Sequence, residues 1–393
     1  MKVVHVSFSY DKKIKTEEDL LEQHYTVTGW AEALQRQGVE IIVINRFFKE
    51  SSLQKNNVQY YFIKDRFAAR LRGWHLPRKL FKKIKDLDAD VIHLHNLTLS
   101  VQTFFLRKIL KKKTAIIVQH HGGIMPGKKK RWIHNRLNSV ADGFFFTTVE
   151  QGKEWFMNDR TSEKVKPVME GATFFNYADR NSAKKQTYPD RKEARNKTGM
   201  TGSPIFLWVG RLDNNKDPLT VLTGFEILFE KYKDASLYMV YSDDKLAGEV
   251  KKKINGTTTL KHKVHLLGKI DHDKIEQYYN SADYFILGSH YEGSGYALSE
   301  ALRCGCVPVI TNIPSFRMMT NNGQLGALWE PGDEHSFIRT ASIAMNKSLK
   351  DEANKCIDFF KENLSFDAIA QTALMHYQKV IELRSRKMKK KND

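Results

Sequence analysis

The 393-residue chain has only three cysteines, Cys304, Cys306 and Cys356, and no apolar run of the ~18 residues that a membrane-spanning helix needs. So few thiols in a chain of this length exclude a fold held together by disulfides. Because Cys304 and Cys306 have no cluster of histidines or cysteines near them in sequence, we expect no zinc site there. The first residues are typical of a β-strand rather than of a signal peptide. We therefore expect a soluble protein of the reducing cytoplasm.

Acidic side chains are scarce in the first half of the chain. The net charge is +19 overall and +13 over residues 1–180, and the segment 66–136 holds 18 basic but only 3 acidic residues. This basic segment includes Lys111–Lys113 and Lys128–Arg131. Such a concentration of positive charge attracts polyanions, namely nucleic acids, anionic lipids or phosphorylated substrates.

The basic segment lacks zinc-finger spacing, an RNP-like aromatic motif and a helix-turn-helix pattern, so we expect no nucleic-acid partner. Large apolar residues are interspersed with its lysines and arginines: Phe67, Leu71, Trp74, Leu76, Leu80 and Phe81. This mixture is typical of a helix that lies in a membrane interface. Segment 66–136 therefore predicts contact with an anionic membrane surface, on the inner face of the membrane. A solvated basic face is the alternative.

Short apolar runs alternate with longer stretches of helical periodicity, which predicts parallel α/β sheets. The predicted strands are Val3–Val6, Glu40–Ile44, Gln59–Ile63, Val91–Leu94, Ala115–Gln119, Gly143–Thr147, Ile205–Val209, Ser236–Val240, Val264–Leu267, Tyr284–Leu287 and Val307–Ile310. The first helix is predicted to end at Gly38, because glycine readily terminates helices.

The polar stretch Tyr177–Pro204 predicts a domain boundary. We expect a doubly wound, Rossmann-like domain over residues 1–180, a second one over 181–365, and a C-terminal helix with a basic tail over 366–393. Because parallel sheets bind ligands beyond the carboxyl ends of their strands, two such domains predict a cleft between those ends.

The stretch from His290 to Ile310 holds a glycine-rich turn between a strand and a helix that is expected to begin near Tyr296. Gly293, Ser294 and Gly295 form this turn; the glycines allow the backbone to approach a ligand, and free N–H groups at a helix start bind phosphate. Glu292 and Glu300 lie on either side of it. A carboxylate accepts two hydroxyl hydrogen bonds at once, which suits the diol of a sugar or ribose.

A second stretch, Phe206–Pro218, runs from a strand into Gly210 and then presents Arg211 and Lys216 in a loop. Two cations at the end of a strand can hold a diphosphate and stabilise it as a leaving group. A surface loop with solvated charges is the alternative for this stretch taken alone.

Together the two stretches resemble the retaining nucleotide-sugar glycosyltransferases of family 4. The resemblance rests on Gly-Arg-Leu-x4-Lys-Asp-Pro at 210–218 and on the Glu-x7-Glu pair that precedes Gly-x-Pro-Val-like residues at 305–309. In the first half, Asp90–His95 and Gln119–Gly122 look like the strand ends of the family's acceptor domain. The resemblance implies the GT-B fold, in which two doubly wound domains face each other across a cleft and the C-terminal helix crosses back to the first domain.

The resemblance also implies roles for individual residues. Arg211 and Lys216 would contact the donor diphosphate, Glu292 the hydroxyls of the donor sugar, and Glu300 the ribose. The remaining donor-binding positions are the backbone of Gly210, the amides of Gly293, Ser294 and Gly295, and the backbone from Gly268 to Ile270, which would face the nucleobase. His121, or alternatively His120, would lie beside the transferred sugar.

The family needs no metal ion, and the only candidate for an acidic metal-binding pair, Asp243-Asp244, is better explained as a solvated turn. We therefore expect neither a metal nor another cofactor. The chain departs from the family in having Leu20–His24 in place of a Gly-Gly loop, Ser294 where phenylalanine is common, and Tyr241 beginning a loop that usually contains Gly-x-Gly.

These observations predict an enzyme that transfers a sugar from a nucleoside-diphosphate sugar to a hydroxyl of a saccharide or lipid-linked saccharide, with retention, in the assembly of cell-surface polysaccharide or glycolipid. One alternative is an epimerase or hydrolase of the same fold, which would consume the donor without an acceptor. The other is a basic binding protein for polyanions or membranes on a degenerate transferase scaffold.

Overall fold

The computed structural model describes residues 1–67, 69–122, 125–156, 159–170, 190–242 and 245–389. The chain forms two α/β units. Unit 1 comprises Met1–Ala172 together with Ser365–Asp393, and unit 2 comprises Thr173–Leu364. The boundary predicted at 180/181, the Asp243-Asp244 pair and the tail from 390 onward lie outside the described residues.

Unit 1 is built on an eight-stranded sheet. Its strands are β1 (Lys2–Ser7), β2 (Glu40–Phe47), β3 (Ser51–Lys55), β4 (Val58–Lys64), β5 (Val91–Leu94), β6 (Ala115–Gln119), β7 (Gly143–Phe146) and β8 (Val165–Pro167). They lie in the order β3-β4-β2-β1-β5-β6-β7-β8, and only the β3–β4 pair is antiparallel. The order of the parallel strands therefore reverses between β1 and β5, which is the point where doubly wound sheets bind ligands.

Among the described residues, seven helices accompany this sheet before the chain reaches unit 2. They are α1 (Glu17–Gln23), α2 (Tyr25–Arg36), α3 (Arg78–Asp86), α4 (Ser100–Ile109), α5 (Lys128–Asn138), α6 (Val149–Trp155) and α7 (Asp159–Ser162). Helix α2 ends at Arg36, two residues before the predicted end, and Gly38 follows with φ +80°. The segment that replaces the family's Gly-Gly loop lies mostly in α1, where Leu20 and Leu21 are buried.

Most of the apolar residues predicted to form an interfacial helix are instead covered by the protein, whereas Trp74 is 69% exposed. Helix α3 directs Leu80 and Phe81 into the core of unit 1, and Leu71 is buried in the same core. Phe67 and Leu76 are partly buried against it. Of these residues Leu80 and Phe81 lie in α3, and the apolar face of this helix is covered by the protein itself.

Unit 2 contains a six-stranded parallel sheet of β9 (Ile205–Gly210), β10 (Ser236–Tyr241), β11 (Val264–Gly268), β12 (Tyr284–Leu287), β13 (Val307–Thr311) and β14 (Ala327–Trp329). The order β11-β10-β9-β12-β13-β14 reverses between β9 and β12. Its helices are α8 (Arg191–Thr198), α9 (Pro218–Lys231), α10 (Ala247–Asn255), α11 (Thr258–Lys263), α12 (Ile275–Ser281), α13 (Tyr296–Arg303), α14 (Pro314–Met319), α15 (Glu334–Met345) and α16 (Leu349–Phe359), which continues as a π-helical segment, Phe360–Leu364.

The C-terminal helix α17 (Phe366–Lys389) belongs to unit 1, as predicted. Its first turn is tied to α2 by an ion pair of 2.6 Å between Arg36 and Asp367. The Phe366 ring lies against Gly29, where a Cβ atom would be only 2.7 Å from the ring. Near its far end, Arg384 forms an ion pair with Asp142. Among the described helices, none is both long enough and apolar enough to cross a bilayer.

All eleven predicted strands are present, within three residues at each end. The three strands that were not predicted are β3, β8 and β14. Strand β3 has the polar sequence Ser-Ser-Leu-Gln-Lys and lies at the edge of its sheet, whereas β8 and β14 have three residues each. Such segments bury too few apolar residues to show a strand pattern.

Packing between α9 and α15 depends on Gly224. An added Cβ atom there would overlap the ring of Phe337, whereas one at Gly248 in α10 would meet no atom within 4 Å. We expect Gly224→Ala to destabilise the protein by about 1–3 kcal/mol. The matched Gly248→Ala variant should be unchanged or more stable by up to about 1 kcal/mol. Urea unfolding measures both, and equal midpoints would contradict this account of the α9–α15 contact.

Candidate functional site

The carboxyl ends of β9 and β12 are neighbours at the reversal of the unit 2 sheet, and both predicted donor-binding motifs follow these two strands. The two cationic side chains of the loop after β9 differ in their exposure. Arg211 is 55% exposed and lies 3.2 Å from Asp213, whereas the Lys216 side chain is only 13% exposed. The backbone N–H of Lys216 donates to Asp213, which fixes the turn that carries the lysine.

The two loops are joined by an ion pair between Lys216 and Glu292. Glu292 is 12% exposed and also accepts a hydrogen bond of 2.6 Å from the Ser289 hydroxyl. Asn215 holds both the N–H and the carbonyl of Tyr291 at 3.1 and 3.0 Å. The structure therefore brings together two side chains that the sequence predicted for one site, and it adds Ser289 as the group that orients the carboxylate.

The glycine-rich turn leads into α13 without a capping side chain. Gly295 is the N-cap residue and has φ +63°, a conformation that favours glycine. The preceding Ser294 is 5% exposed, and its hydroxyl has no hydrogen-bond partner among the described residues. Positive ends of helix dipoles with uncapped N–H groups bind anions. The turn thus offers N–H groups and a buried hydroxyl close in sequence to Glu292.

Glu300 lies in α13 and is 7% exposed. The Tyr279 hydroxyl donates to it over 2.8 Å, and burial together with the Glu300 charge raises the pKa of Tyr279 well above its ordinary value, so this donor keeps its proton. His272 Nε2 lies 3.5 Å from the other carboxylate oxygen. His272 belongs to the loop after β11, which begins with Gly268 at φ +70° and contains Ile270. His272, two positions after the segment predicted to face the nucleobase, therefore lies near the carboxylate predicted to bind ribose.

The two candidate histidines of unit 1 have different surroundings. His120 is 3% exposed and stacks on Phe146 at 5.0 Å, so it is a core residue. The His121 side chain is 29% exposed, and its two ring nitrogens lie 3.2 Å from Glu170 and 3.0 Å from His95. His121 is therefore the member of the pair that a ligand can reach.

Among the described residues, one group has the arrangement that could hold a metal ion, namely His5, His93 and His95. Their potential ligand nitrogens lie within 4.8 Å of one another. However, the ring nitrogens of His5 and one nitrogen of His93 are already hydrogen-bonded to His95 and to Tyr377. A metal ion would have to displace these hydrogen bonds.

Sequence analysis missed Ser289, Tyr279, His272 and Glu170. Ser289 could have been suspected, because it directly follows a predicted strand and precedes Glu292 by three positions. Tyr279 and Glu170 lie 21 and 49 positions from the residues that they contact, and neither lies in a recognisable motif.

Two family models match the chain. Residues 190–362 match the model of glycosyl transferases group 1, and residues 24–150 match the model of glycosyltransferase family 4. In sequence, the chain is 22% identical over 334 residues to the GDP-mannose:cellobiosyl-diphosphopolyprenol alpha-mannosyltransferase of Xanthomonas oryzae, with 82% of each protein covered. It is 25% identical over 169 residues to the mannosylfructose-phosphate synthase of Agrobacterium fabrum, covering 41% of this chain and 36% of that protein.

Solved structures show the same fold. A glycosyltransferase from Rickettsia africae superposes with a TM-score of 0.72 at 16% identity, covering 97% of this chain and 98% of the other. Anabaena HepE in complex with UDP superposes with a TM-score of 0.70 at 13% identity, covering 96% and 100%. The chain is thus a glycosyltransferase of group 1 with a family 4 N-terminal domain, and it has the GT-B fold.

Proposed function

We propose that this glycosyltransferase moves a sugar from a nucleoside diphosphate to a hydroxyl of a saccharide or lipid-linked saccharide, with retention of the anomeric configuration, in cell-surface polysaccharide or glycolipid assembly. The observation that carries the proposal is the Lys216–Glu292 pair in unit 2. It lies at the reversal of the sheet, and Glu292 is followed directly by the uncapped start of α13.

The donor diphosphate is held by positive charge from the protein. An ammonium group has three N–H donors, so Lys216 can keep Glu292 as a partner and still donate to a phosphate oxygen. Arg211 and the N–H groups at the start of α13 supply further positive potential. These groups stabilise the charge that develops on the leaving diphosphate, so the proposal includes no metal ion.

The two carboxylates hold the sugar portions of the donor. Glu292, oriented by Ser289, accepts hydrogen bonds from hydroxyls of the transferred sugar, and Glu300, oriented by Tyr279, accepts those of the ribose diol. In a retaining transfer the acceptor approaches the face that the diphosphate leaves. A phosphate oxygen then takes the acceptor proton, and no separate carboxylate base is required.

The acceptor class is proposed from the relatives and from the surface of unit 1. The Xanthomonas relative is named for a diphosphopolyprenol-linked acceptor. In unit 1, Trp132 and Ile133 are 57% and 49% exposed on α5, directly after the basic run Lys128–Arg131. Exposed aromatic and apolar side chains beside lysines are typical of surfaces that bind anionic membranes. We therefore propose a peripheral location on the inner face of the membrane.

The first test replaces Lys216 by alanine. The variant should lose about 2.7–4 kcal/mol of transition-state stabilisation, a fall in kcat of about a hundred- to a thousandfold, because it loses a cation that faces the leaving diphosphate. Transfer is measured with GDP-mannose, UDP-glucose and UDP-galactose as donors and extracted lipid-linked saccharides as acceptors, with EDTA present.

The matched control is Lys197→Ala, which removes an exposed lysine paired with Glu193 on α8. It should keep full activity, since surface pairs of this kind contribute little. Unchanged turnover in Lys216→Ala would refute the assignment of the site. Consumption of the donor without transfer would favour an epimerase or hydrolase, and binding to vesicles without any turnover would favour a degenerate scaffold.

The second test concerns the membrane surface. Replacing Lys128, Lys129 and Lys130 by glutamine should cost about 1 kcal/mol per charge, so partitioning onto phosphatidylglycerol vesicles should fall about a hundredfold. A Trp132→Ser, Ile133→Ser variant should also bind more weakly, whereas Ile343→Ser, which alters a residue 58% exposed on α15 of unit 2, should not. Co-sedimentation measures all three variants. Equal partitioning of wild type and the lysine variant would show that the basic segment is an ordinary solvated face.

A further inference from the structure

Six side chains of unit 1 form a continuous series of hydrogen bonds, which we call the histidine chain: Glu170, His121, His95, His5, Tyr377 and His93. Consecutive members meet through Glu170 Oε2 and His121 Nδ1 (3.2 Å), His121 Nε2 and His95 Nδ1 (3.0 Å), His95 Nε2 and His5 Nδ1 (3.1 Å), His5 Nε2 and Tyr377 Oη (3.2 Å), and Tyr377 Oη and His93 Nδ1 (2.7 Å).

The sheet brings these residues together from distant parts of the sequence. His5 in β1 and His93 in β5 are direct neighbours in the register of the two parallel strands, and His95 follows β5 on the same side as His93. Tyr377 reaches them from α17 and is fully buried. The histidine chain therefore links the C-terminal helix to the loop that follows β6.

Burial keeps the inner histidines neutral at physiological pH. It lowers the pKa of His5 to about 3 and those of His93 and His95 well below the ordinary value, with further lowering from the neighbouring histidines at His93 and His95. A neutral imidazole has one N–H donor and one lone pair. Each link between two such rings must therefore have one donor and one acceptor.

The Glu170 carboxylate sets the direction of the first links. A carboxylate only accepts, so His121 must donate from Nδ1, and a neutral His121 then has a lone pair on Nε2. His95 must donate to this lone pair from its own Nδ1. The lone pair of His95 then lies on Nε2 and accepts from Nδ1 of His5.

The same rule orders the next link. The lone pair of His5 lies on Nε2 and accepts from the hydroxyl of Tyr377. The hydroxyl oxygen also lies 2.7 Å from Nδ1 of His93, whose ring has a second hydrogen-bonding partner in Gln119. His121, His95 and His5 are thus in the Nδ1–H tautomer, which is the less favoured form of a histidine side chain in water.

We propose that the histidine chain is a positioning device, in which Glu170 fixes the tautomer and orientation of His121 and, through His95, His5 and Tyr377, couples the loop after β6 to the C-terminal helix. Both ring nitrogens of His121 are occupied, so its imidazole acts as an oriented wall of the acceptor-side loop and not as a proton acceptor. This inference rests on the proposed function for its consequence in transfer, but the hydrogen-bond order stands without it.

The test is nitrogen NMR of protein labelled with ¹⁵N-histidine at about pH 9, well above the ordinary imidazole pKa of about 6.5. Each ring is assigned by the loss of its signals in a single His→Gln variant. We expect protonated Nδ1 and unprotonated Nε2 for His5, His95 and His121. An Nε2–H tautomer at His95 or His121 in the wild-type protein would overturn the proposal.

Two substitutions test the direction. Glu170→Leu removes the acceptor that starts the order, so His121 and His95 should change to the Nε2–H form, whereas Glu170→Gln, which retains an acceptor oxygen, should preserve the wild-type form. Tyr377→Phe retains the ring and removes only the hydroxyl. It should alter His93 and leave His121 and His95 unchanged. If Tyr377→Phe altered all four rings equally, the order would not start at Glu170.

Kinetics distinguish this proposal from the proposed function. Glu170→Leu should lower kcat for transfer by up to about a hundredfold through misplacement of the loop. Nucleotide binding by unit 2, measured by thermal shift with GDP and UDP, should be unchanged, and Glu170→Gln should recover most of the activity. If no nucleotide bound to the wild-type protein, the proposed function would be refuted, whereas the tautomer assignment, which NMR tests separately, would be unaffected. Wild-type kcat in Glu170→Leu would overturn the positioning role.

Discussion

The arrangement of the donor-side residues depends on the ion pair between Lys216 and Glu292. Each side chain is little exposed, so removing either one would leave a largely buried charge without a partner, which is a strongly unfavourable state. The two loops must therefore approach each other closely. Gly288 permits this approach, since a Cβ atom there would lie 3.0 Å from the carbonyl oxygen of Asp217, and Asn215 secures it through two hydrogen bonds to Tyr291. The same charges that hold the loops together are those proposed to hold the donor, so the site is formed by folding rather than assembled around a ligand.

The sequence predicts the strands of unit 2 well because their determinants are local. Strands buried on both faces appear as continuous apolar runs. Arg211 directly follows β9 and Glu292 lies shortly after β12, and the parallel order of the sheet brings the ends of these strands together. What could not be predicted is the tyrosine that donates a hydrogen bond to Glu300. Tyr279 lies on α12, and its contact with Glu300 depends on how α12 and α13 lie against each other, which no periodicity in the sequence specifies.

Unit 1 shows two limits of prediction from the sequence. The apolar residues of α3 have helical spacing, but spacing alone does not tell whether an apolar stripe faces a membrane or the protein's own core, and Leu80 and Phe81 face the core. The exposed apolar residues of the basic segment include Trp74, Trp132 and Ile133, and the sequence around the last two is dominated by charge. The histidine chain is a second case. The alternation of His93 and His95 places them on one side of β5, but Tyr377 is 284 positions from His93, so only the tertiary fold reveals their contact.

Polar side chains are oriented by different interactions in the two units. Unit 2 uses formal charges at the ends of its strands, where partial exposure limits the cost of desolvation. In unit 1, hydrogen bonds between neutral imidazoles and a hydroxyl orient side chains in the interior. Burying a neutral hydrogen-bonded ring costs far less than burying an ion, so such a series can extend through the interior from Glu170 to Tyr377. The direction of its hydrogen bonds requires a single fixed charge at one end. Each neutral ring has only one proton to donate, so the direction of one hydrogen bond determines the direction of the next. A buried histidine cluster that resembles a metal site in composition can therefore be ordered by hydrogen bonds, with the tautomers of His121, His95 and His5 determined by one carboxylate.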